Sequence, residues 1–145
     1  MPFSELEIVV PKYGHIKPPT TLITLGDHIR KKRIESWLMQ KEVAEILNVC
    51  EDTITGWETG RSDPQTKHLG NIIKFLGYMP FEIDTSTLGG KIKFYRYTTG
   101  TTTKAFAELF EVHPATVNTW ENNLQKPNSK IKQQIIDLIS KKPSL

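Results

Sequence analysis

The sequence is poor in the features that mark most secreted, membrane and enzymatic proteins. It holds one cysteine, Cys50, in 145 residues. A lone thiol cannot close an internal disulfide, so a reducing, cytoplasmic setting is expected. No apolar run approaches the ~20 residues that a membrane-spanning helix requires, and no membrane partner is expected. Met1 to Pro11 lacks the basic and apolar regions of a secretory signal. There is no glycine-rich phosphate loop, no Gly-x-Ser-x-Gly and no His-Glu-x-x-His. Those are the patterns that cradle nucleotides, expose a nucleophilic serine or bind catalytic zinc. His15, His28, His68 and His113 stand too far apart for a local metal motif. No enzymatic activity, metal or cofactor is expected.

What is present fits a globular chain, with 37% hydrophobic and 24% charged residues. The length suits one ordinary domain or two small ones. The net charge of +3 is unevenly spread. Residues 24–76 carry 8 basic and 8 acidic side chains, whereas residues 87–145 carry 9 and 4. The basic C-terminal half points to an anionic partner, although a solvated face would look the same.

An internal repeat organises the chain. Shifted by 63 residues, Thr24-Leu25-Gly26 falls on Thr87-Leu88-Gly89 and Trp57-Glu58 on Trp120-Glu121. Val49, Thr53, Pro64 and Ile72-Ile73 fall on Val112, Thr116, Pro127 and Ile135-Ile136. Across the 53 positions from Thr24 to Leu76 there are 16 identities without a gap. Chance would supply roughly 3 or 4 at average residue usage. A period of this length indicates a duplicated small domain rather than a solenoid unit. The expected organisation is an extended, proline-bearing arm over 1–23, a first domain over 24–76, a linker over 77–86 and a second domain over 87–145. Phe81 and Ile83 suggest that the linker packs on a domain.

Each copy reads as helices. In the first, Ile29, Ile34 and Leu38 suggest the apolar face of one helix, which also carries the basic run Arg30–Arg33. Val43, Ala44 and Leu47 share a face of a short second helix. Asn48 sits where the chain must turn, and asparagine tolerates the left-handed conformation of a tight turn. A third helix over about 51–59 buries Ile54 and Trp57 and ends at Gly60 and Pro64. A last helix over about 67–76 offers Leu69, Ile72, Ile73 and Leu76 to the core. In the second copy Phe106, Ala107, Phe110 and Val112 replace Val43, Ala44, Leu47 and Val49. Glu111 replaces Asn48 at the turn and fits it less well. Thr102 is a good N-cap where Met39 is not, and Pro114 suits the first position of a helix.

The pattern Gln-Lys-x-Val-Ala-x-x-Leu-Asn-Val, followed by Ile54 and Trp57-Glu58-x-Gly60-Arg61-x-x-Pro64, resembles the phage-repressor and Cro family, the XRE-type helix-turn-helix proteins. Copy one matches it well; copy two matches in its apolar frame and in Trp120-Glu121. The resemblance implies an all-α chain of two tandem lambda-repressor-like DNA-binding domains. It also implies that an arginine late in the first helix pairs with the glutamate after the recognition helix. The matching pairs are Arg33 with Glu58 and Arg96 with Glu121.

A helix-turn-helix lays its third helix in the major groove. The resemblance puts base contacts of copy one at Glu51, Asp52, Thr55 and Gly56, which departs from the family's usual Gln, Ser, Arg and Asn. Glu51 and Asp52 can accept from cytosine N4 or else merely complement the helix dipole. Copy two presents Pro114, Ala115, Asn118 and Thr119. Asn118 can read adenine through two hydrogen bonds, and Ala115 can touch a thymine methyl. Phosphate contacts are expected from Gln40, Lys41, Thr53, Arg61 and Lys67. In copy two they are expected from Thr103, Lys104, Thr116, Asn122, Lys126, Asn128 and Lys130. Lys12 and Lys17 of the arm can reach DNA or be solvated. Trp57 and Trp120 are expected in the core, and Cys50 is expected to be inert.

The expected function is sequence-specific regulation of transcription on double-stranded DNA. The alternative is a protein-interaction adaptor, or an antitoxin-like module, in which one domain has lost DNA binding. A homodimer and a protein partner both stay open.

Overall fold

The computed structural model describes residues 16–141. Among them every regular element is an α-helix, as the all-α expectation requires. The order is α1 (Leu25–Glu35), α2 (Gln40–Leu47), α3 (Glu51–Thr59), α4 (Thr66–Leu76), α5 (Leu88–Thr99), α6 (Thr103–Leu109), α7 (Pro114–Glu121) and α8 (Ser129–Ser140). Each helix from α5 to α8 begins 63 residues after its counterpart from α1 to α4. Residues 16–24 hold no helix, and Lys17 is exposed. Lys12 and the rest of the arm lie outside the described residues. No described helix is long and apolar enough to cross a membrane.

Local chemistry explains the helix starts. Thr24 accepts the Asp27 N–H at 3.1 Å. The Asp27 carboxylate in turn accepts the N–H groups of Thr24 at 2.8 Å and Ile23 at 2.9 Å. This reciprocal capping box satisfies donors that a helix start leaves open. The same backbone donors, that of Thr24 foremost, hold the Asp27 carboxyl below its usual range. Thr87 caps α5 by accepting the Gly90 N–H, and Thr102 caps α6 by accepting that of Ala105. Met39 supplies no side-chain cap to α2, and Pro114 occupies the first turn of α7.

The turns repeat as faithfully as the helices. Positive φ values occur at Trp37 and Gly100, at Asn48 and Glu111, and at Gly60 and Asn123. Each pair is 63 residues apart. The first pair corrects one expectation. Leu38 does not continue the face of Ile29 and Ile34, because α1 stops at Glu35 and Trp37 turns left-handed at φ 61. The Leu38 N–H then bonds back to the Arg33 carbonyl at 3.0 Å, closing the helix end in the manner of a Schellman turn.

The cores follow from the apolar pattern. Ile29, Val43, Leu47, Ile54 and Trp57 are buried in the first copy. Ile92, Tyr95, Phe106, Val117, Trp120 and Ile135 form one cluster in the second, with Phe110 and Val112 partly buried against it. Trp57 and Trp120 keep 4% and 5% of their surface exposed, so they are core residues rather than stacking platforms. The repeated Thr-Leu-Gly has a steric reason. A Cβ on Gly26 would stand 1.8 Å from the Trp57 carbonyl oxygen, and one on Gly89 would stand 2.3 Å from that of Trp120. Only glycine lets the first helix of each copy touch the end of the third.

Sequence repeat and packing divide the chain at different places. The compact units part between Pro64 and Gln65, so α4 groups with the second unit although the repeat assigns it to the first copy. Within that unit α4 meets α5 closely: a Cβ on Gly70 would lie 2.9 Å from the Thr98 carbonyl oxygen. Leu69, Ile72, Ile73 and Leu76 are all buried. The segment between α4 and α5 packs as its apolar residues suggest. Phe81 meets Tyr97 edge-on with ring centroids 5.1 Å apart.

Glu111 is an ordinary L-residue held at φ 54, a conformation that costs roughly 1–2 kcal/mol except for glycine and, in part, Asn or Asp. Glu111→Asn is therefore expected to raise the unfolding free energy by about 0.5–1 kcal/mol. Glu111→Ala is expected to leave it nearly unchanged. Urea denaturation of both variants checks this. An equal gain from alanine would assign the effect to the lost charge instead of the backbone.

Candidate nucleic-acid interface

The framework of the site is a buried ion pair. Arg33, near the end of α1, reaches the last turn of α3, where Nε donates to Glu58 Oε2 at 2.7 Å and Nη2 to Oε1 at 2.8 Å. Nη1 donates to the Leu38 carbonyl at 3.1 Å. Only 8% and 3% of the two side chains are exposed. In the second unit Arg96 makes the same fork to Glu121 through Nε and Nη2, and Nη1 donates to the Thr101 carbonyl at 3.1 Å. Both pairs expected from the sequence are thus present. Such a fork is geometrically specific as well as charge-assisted, and it sets how the third helix lies against the first.

The polar network continues in the first unit. Gln40, at the start of α2, donates to Glu58 Oε1 at 3.1 Å and accepts from the Thr55 hydroxyl at 2.9 Å. Both ends of its amide are therefore committed internally. Thr55, expected to face bases, turns its hydroxyl to Gln40, with the Glu51 carbonyl a second acceptor at 3.2 Å. Thr53 lies 3.0 Å from the Cys50 sulfur. Hydrogen bonds from the Thr53 hydroxyl, then from its backbone, hold the exposed Cys50 thiol below the usual thiol range. Lys41, Glu51 and Asp52 are exposed. Gly56 is not part of an open face, for it is buried. A Cβ there would meet Arg61 Nη2 at 2.9 Å and the Ser62 hydroxyl at 2.8 Å. Arg61 lies back along α3, where Nη2 donates to Asp52 Oδ2 and to the Asp52 carbonyl, both at 2.9 Å. Lys67 is exposed on α4, within the second compact unit.

The second unit repeats the frame with different contents. Gln40 is replaced by Thr103 and Thr55 by Asn118, so no network runs from the ion pair to the outer face of α7. Ala115 and Asn118 are exposed, and Thr116 and Thr119 are half-buried. The Thr119 hydroxyl donates to the Thr116 carbonyl at 2.7 Å. Asn122 turns its amide back onto the Asn118 carbonyl at 2.9 Å. Asn128 caps α8, accepting the Ile131 N–H at 2.9 Å, which leaves its NH2 group pointing to other uses. Lys104, Lys126 and Lys130 are exposed, and Thr103 is half-buried beside Lys104. The outer face of α7 carries no acidic side chain in its first turn, where α3 has Glu51 and Asp52. Among the described residues no cluster of His, Cys, Asp and Glu could hold a metal.

Sequence reasoning missed the internal use of Gln40, Thr55 and Asn122 and the placement of Arg61 over Gly56. The bare glycine beside an arginine-bearing turn was the one signal for the last of these. No family model matches the chain, and no curated protein or solved structure matches it either.

Removing one member of the Arg33–Glu58 pair leaves a desolvated charge, expected to cost about 3–5 kcal/mol. Arg33→Met with Glu58→Leu together should cost less than either change alone. A double-mutant cycle by chemical denaturation checks this. Strictly additive losses would mean that the two side chains act independently.

Proposed function

We propose that this protein is a sequence-specific regulator of transcription, binding double-stranded DNA through two tandem lambda-repressor-like helix-turn-helix domains, with α3 and α7 entering the major groove. The observation that carries the reading is the doubled geometry. A short helix, a left-handed turn at Asn48 or Glu111 and a third helix recur at a constant offset, each third helix fixed from behind by a buried Arg–Glu fork. A helix so anchored offers its outer face in one orientation, which is what reading base edges requires.

The second unit supplies the better reading face. Asn118 is exposed, makes no side-chain hydrogen bond among the described residues and can take adenine N6 and N7. Ala115 beside it suits a thymine methyl. Lys104, Lys126 and Lys130 are exposed in the same unit and serve the phosphates, with Thr103, Thr116 and the Asn128 NH2 group as neutral donors. In the first unit Lys41 and Thr53 stand at the corresponding backbone positions, while Lys67, exposed on α4, belongs to the second unit. The acidic Glu51 and Asp52 favour a second reading, in which the first unit is a protein-contact module and the second alone holds DNA. That arrangement would suit an adaptor or an antitoxin.

Retention of random-sequence duplexes by the intact protein at two salt concentrations separates the readings. The regulator is expected to enrich one motif and to lose affinity steeply with salt, as phosphate contacts release counterions. Asn118→Ala should relax preference at a single A·T position at a cost of about 1–3 kcal/mol. Weak, salt-insensitive retention without enrichment would favour the adaptor.

A further inference from the structure

The sequence resemblance assigns Arg61 to a phosphate, but its placement points elsewhere. Asp52 and Gly56 are one turn apart on α3 and so lie on one stripe of its surface. Arg61 leaves the turn after α3, folds back and covers that stripe. Gly56 leaves the room, since a Cβ there would stand 2.9 Å from Nη2 and the guanidinium would have to shift. Asp52 holds the group by two hydrogen bonds to Nη2, and the arginine side chain keeps 56% of its surface open. The carboxylate lowers the charge that Arg61 offers to a phosphate, while it fixes the plane and direction of the fork, as reading one base edge requires.

We infer that Arg61 is the base-reading group of the first unit and that its target is guanine, with Asp52 as the positioning residue that aims it. The inference rests on the DNA-binding reading above. Guanine offers O6 and N7 as paired acceptors in the major groove, the match for two adjacent guanidinium N–H groups. Among the described residues Nη1 makes no hydrogen bond. One Nη2 hydrogen joins it by exchanging the Asp52 carbonyl for the base, while the carboxylate keeps the other. Asp52 also changes meaning: its charge is spent on Arg61, so it neither repels phosphate freely nor selects cytosine. The device belongs to the first copy alone. At the matching positions the second copy has Ala115, Thr119 and Leu124, with neither carboxylate, gap nor cation. The two units therefore read different base types, and a bound site is asymmetric.

The test is enrichment of random duplexes by the full chain and by Arg61→Ala, Arg61→Lys and Asp52→Asn, with circular dichroism to show that each variant is folded. The wild type is expected to demand guanine at one position. Arg61→Ala should lose that preference by about 10- to 100-fold and keep the rest of the motif, and Arg61→Lys should retain only part of it, because an ammonium still donates to guanine but without the fixed fork. Asp52→Asn should weaken the same preference and no other. Lysine cannot form the fork, so a normal motif from Arg61→Lys, with Arg61→Ala weaker on every sequence alike, would make Arg61 a phosphate contact and overturn the inference. A guanine preference surviving Arg61→Ala would overturn it too. A wild type that enriches nothing would remove the DNA-reading function itself, and this inference with it.

Discussion

The guanidinium of Arg33, buried against the Glu58 carboxylate and the Leu38 carbonyl, is the constraint from which the rest of the first unit follows. A charge so far from water must satisfy its donors. Two bonds fix the end of α3 to α1, and the third fixes where the chain turns after α1. The helices must then cross closely, which a residue larger than Gly26 would prevent. Trp57, preceding Glu58, is buried in the core. Arg96, Glu121, Thr101, Gly89 and Trp120 repeat each of these relations in the second unit. Once the inner side of the third helix is held this firmly, its outer side is free to vary without loss of the fold.

The two outer faces have used that freedom differently. On α3 the polar groups are drawn inward or sideways: Thr55 to Gln40, Gln40 to Glu58, Arg61 to Asp52. On α7 the corresponding groups are neutral and Asn118 and Ala115 stand open. One frame therefore carries a preorganised, charged surface and an uncommitted, neutral one. Residues 87–145 carry the surplus of basic side chains, and the first turn of α7 holds no acidic one.

Much of this was legible in the sequence because it depends on spacing. The 63-residue period, the burial of Val43, Ala44, Leu47, Ile54 and Trp57, the turn at Asn48 and the two Arg–Glu pairs depend on which residues recur at which separations. Leu38 was misplaced because an apolar residue in register says nothing about a left-handed Trp37 ending the helix before it. The grouping of α4 with the second unit depends on a close approach at Gly70, which no periodicity encodes. The polar positions were the least legible. Whether Gln40, Thr55, Asn122 or Arg61 faces solvent or a neighbour is decided by side-chain geometry of a few ångströms, and a motif specifies only the residue type.

The central claim is that α3 and α7 present the surfaces that meet DNA. Amide chemical-shift mapping of the intact protein against an enriched duplex tests it most directly. The account predicts that the largest changes fall at the starts of α2 and α6, along Glu51 to Thr55 and Ala115 to Thr119, and in the turn containing Arg61. Changes concentrated instead on the exposed faces of α1 and α5, with the third helices silent, would contradict it.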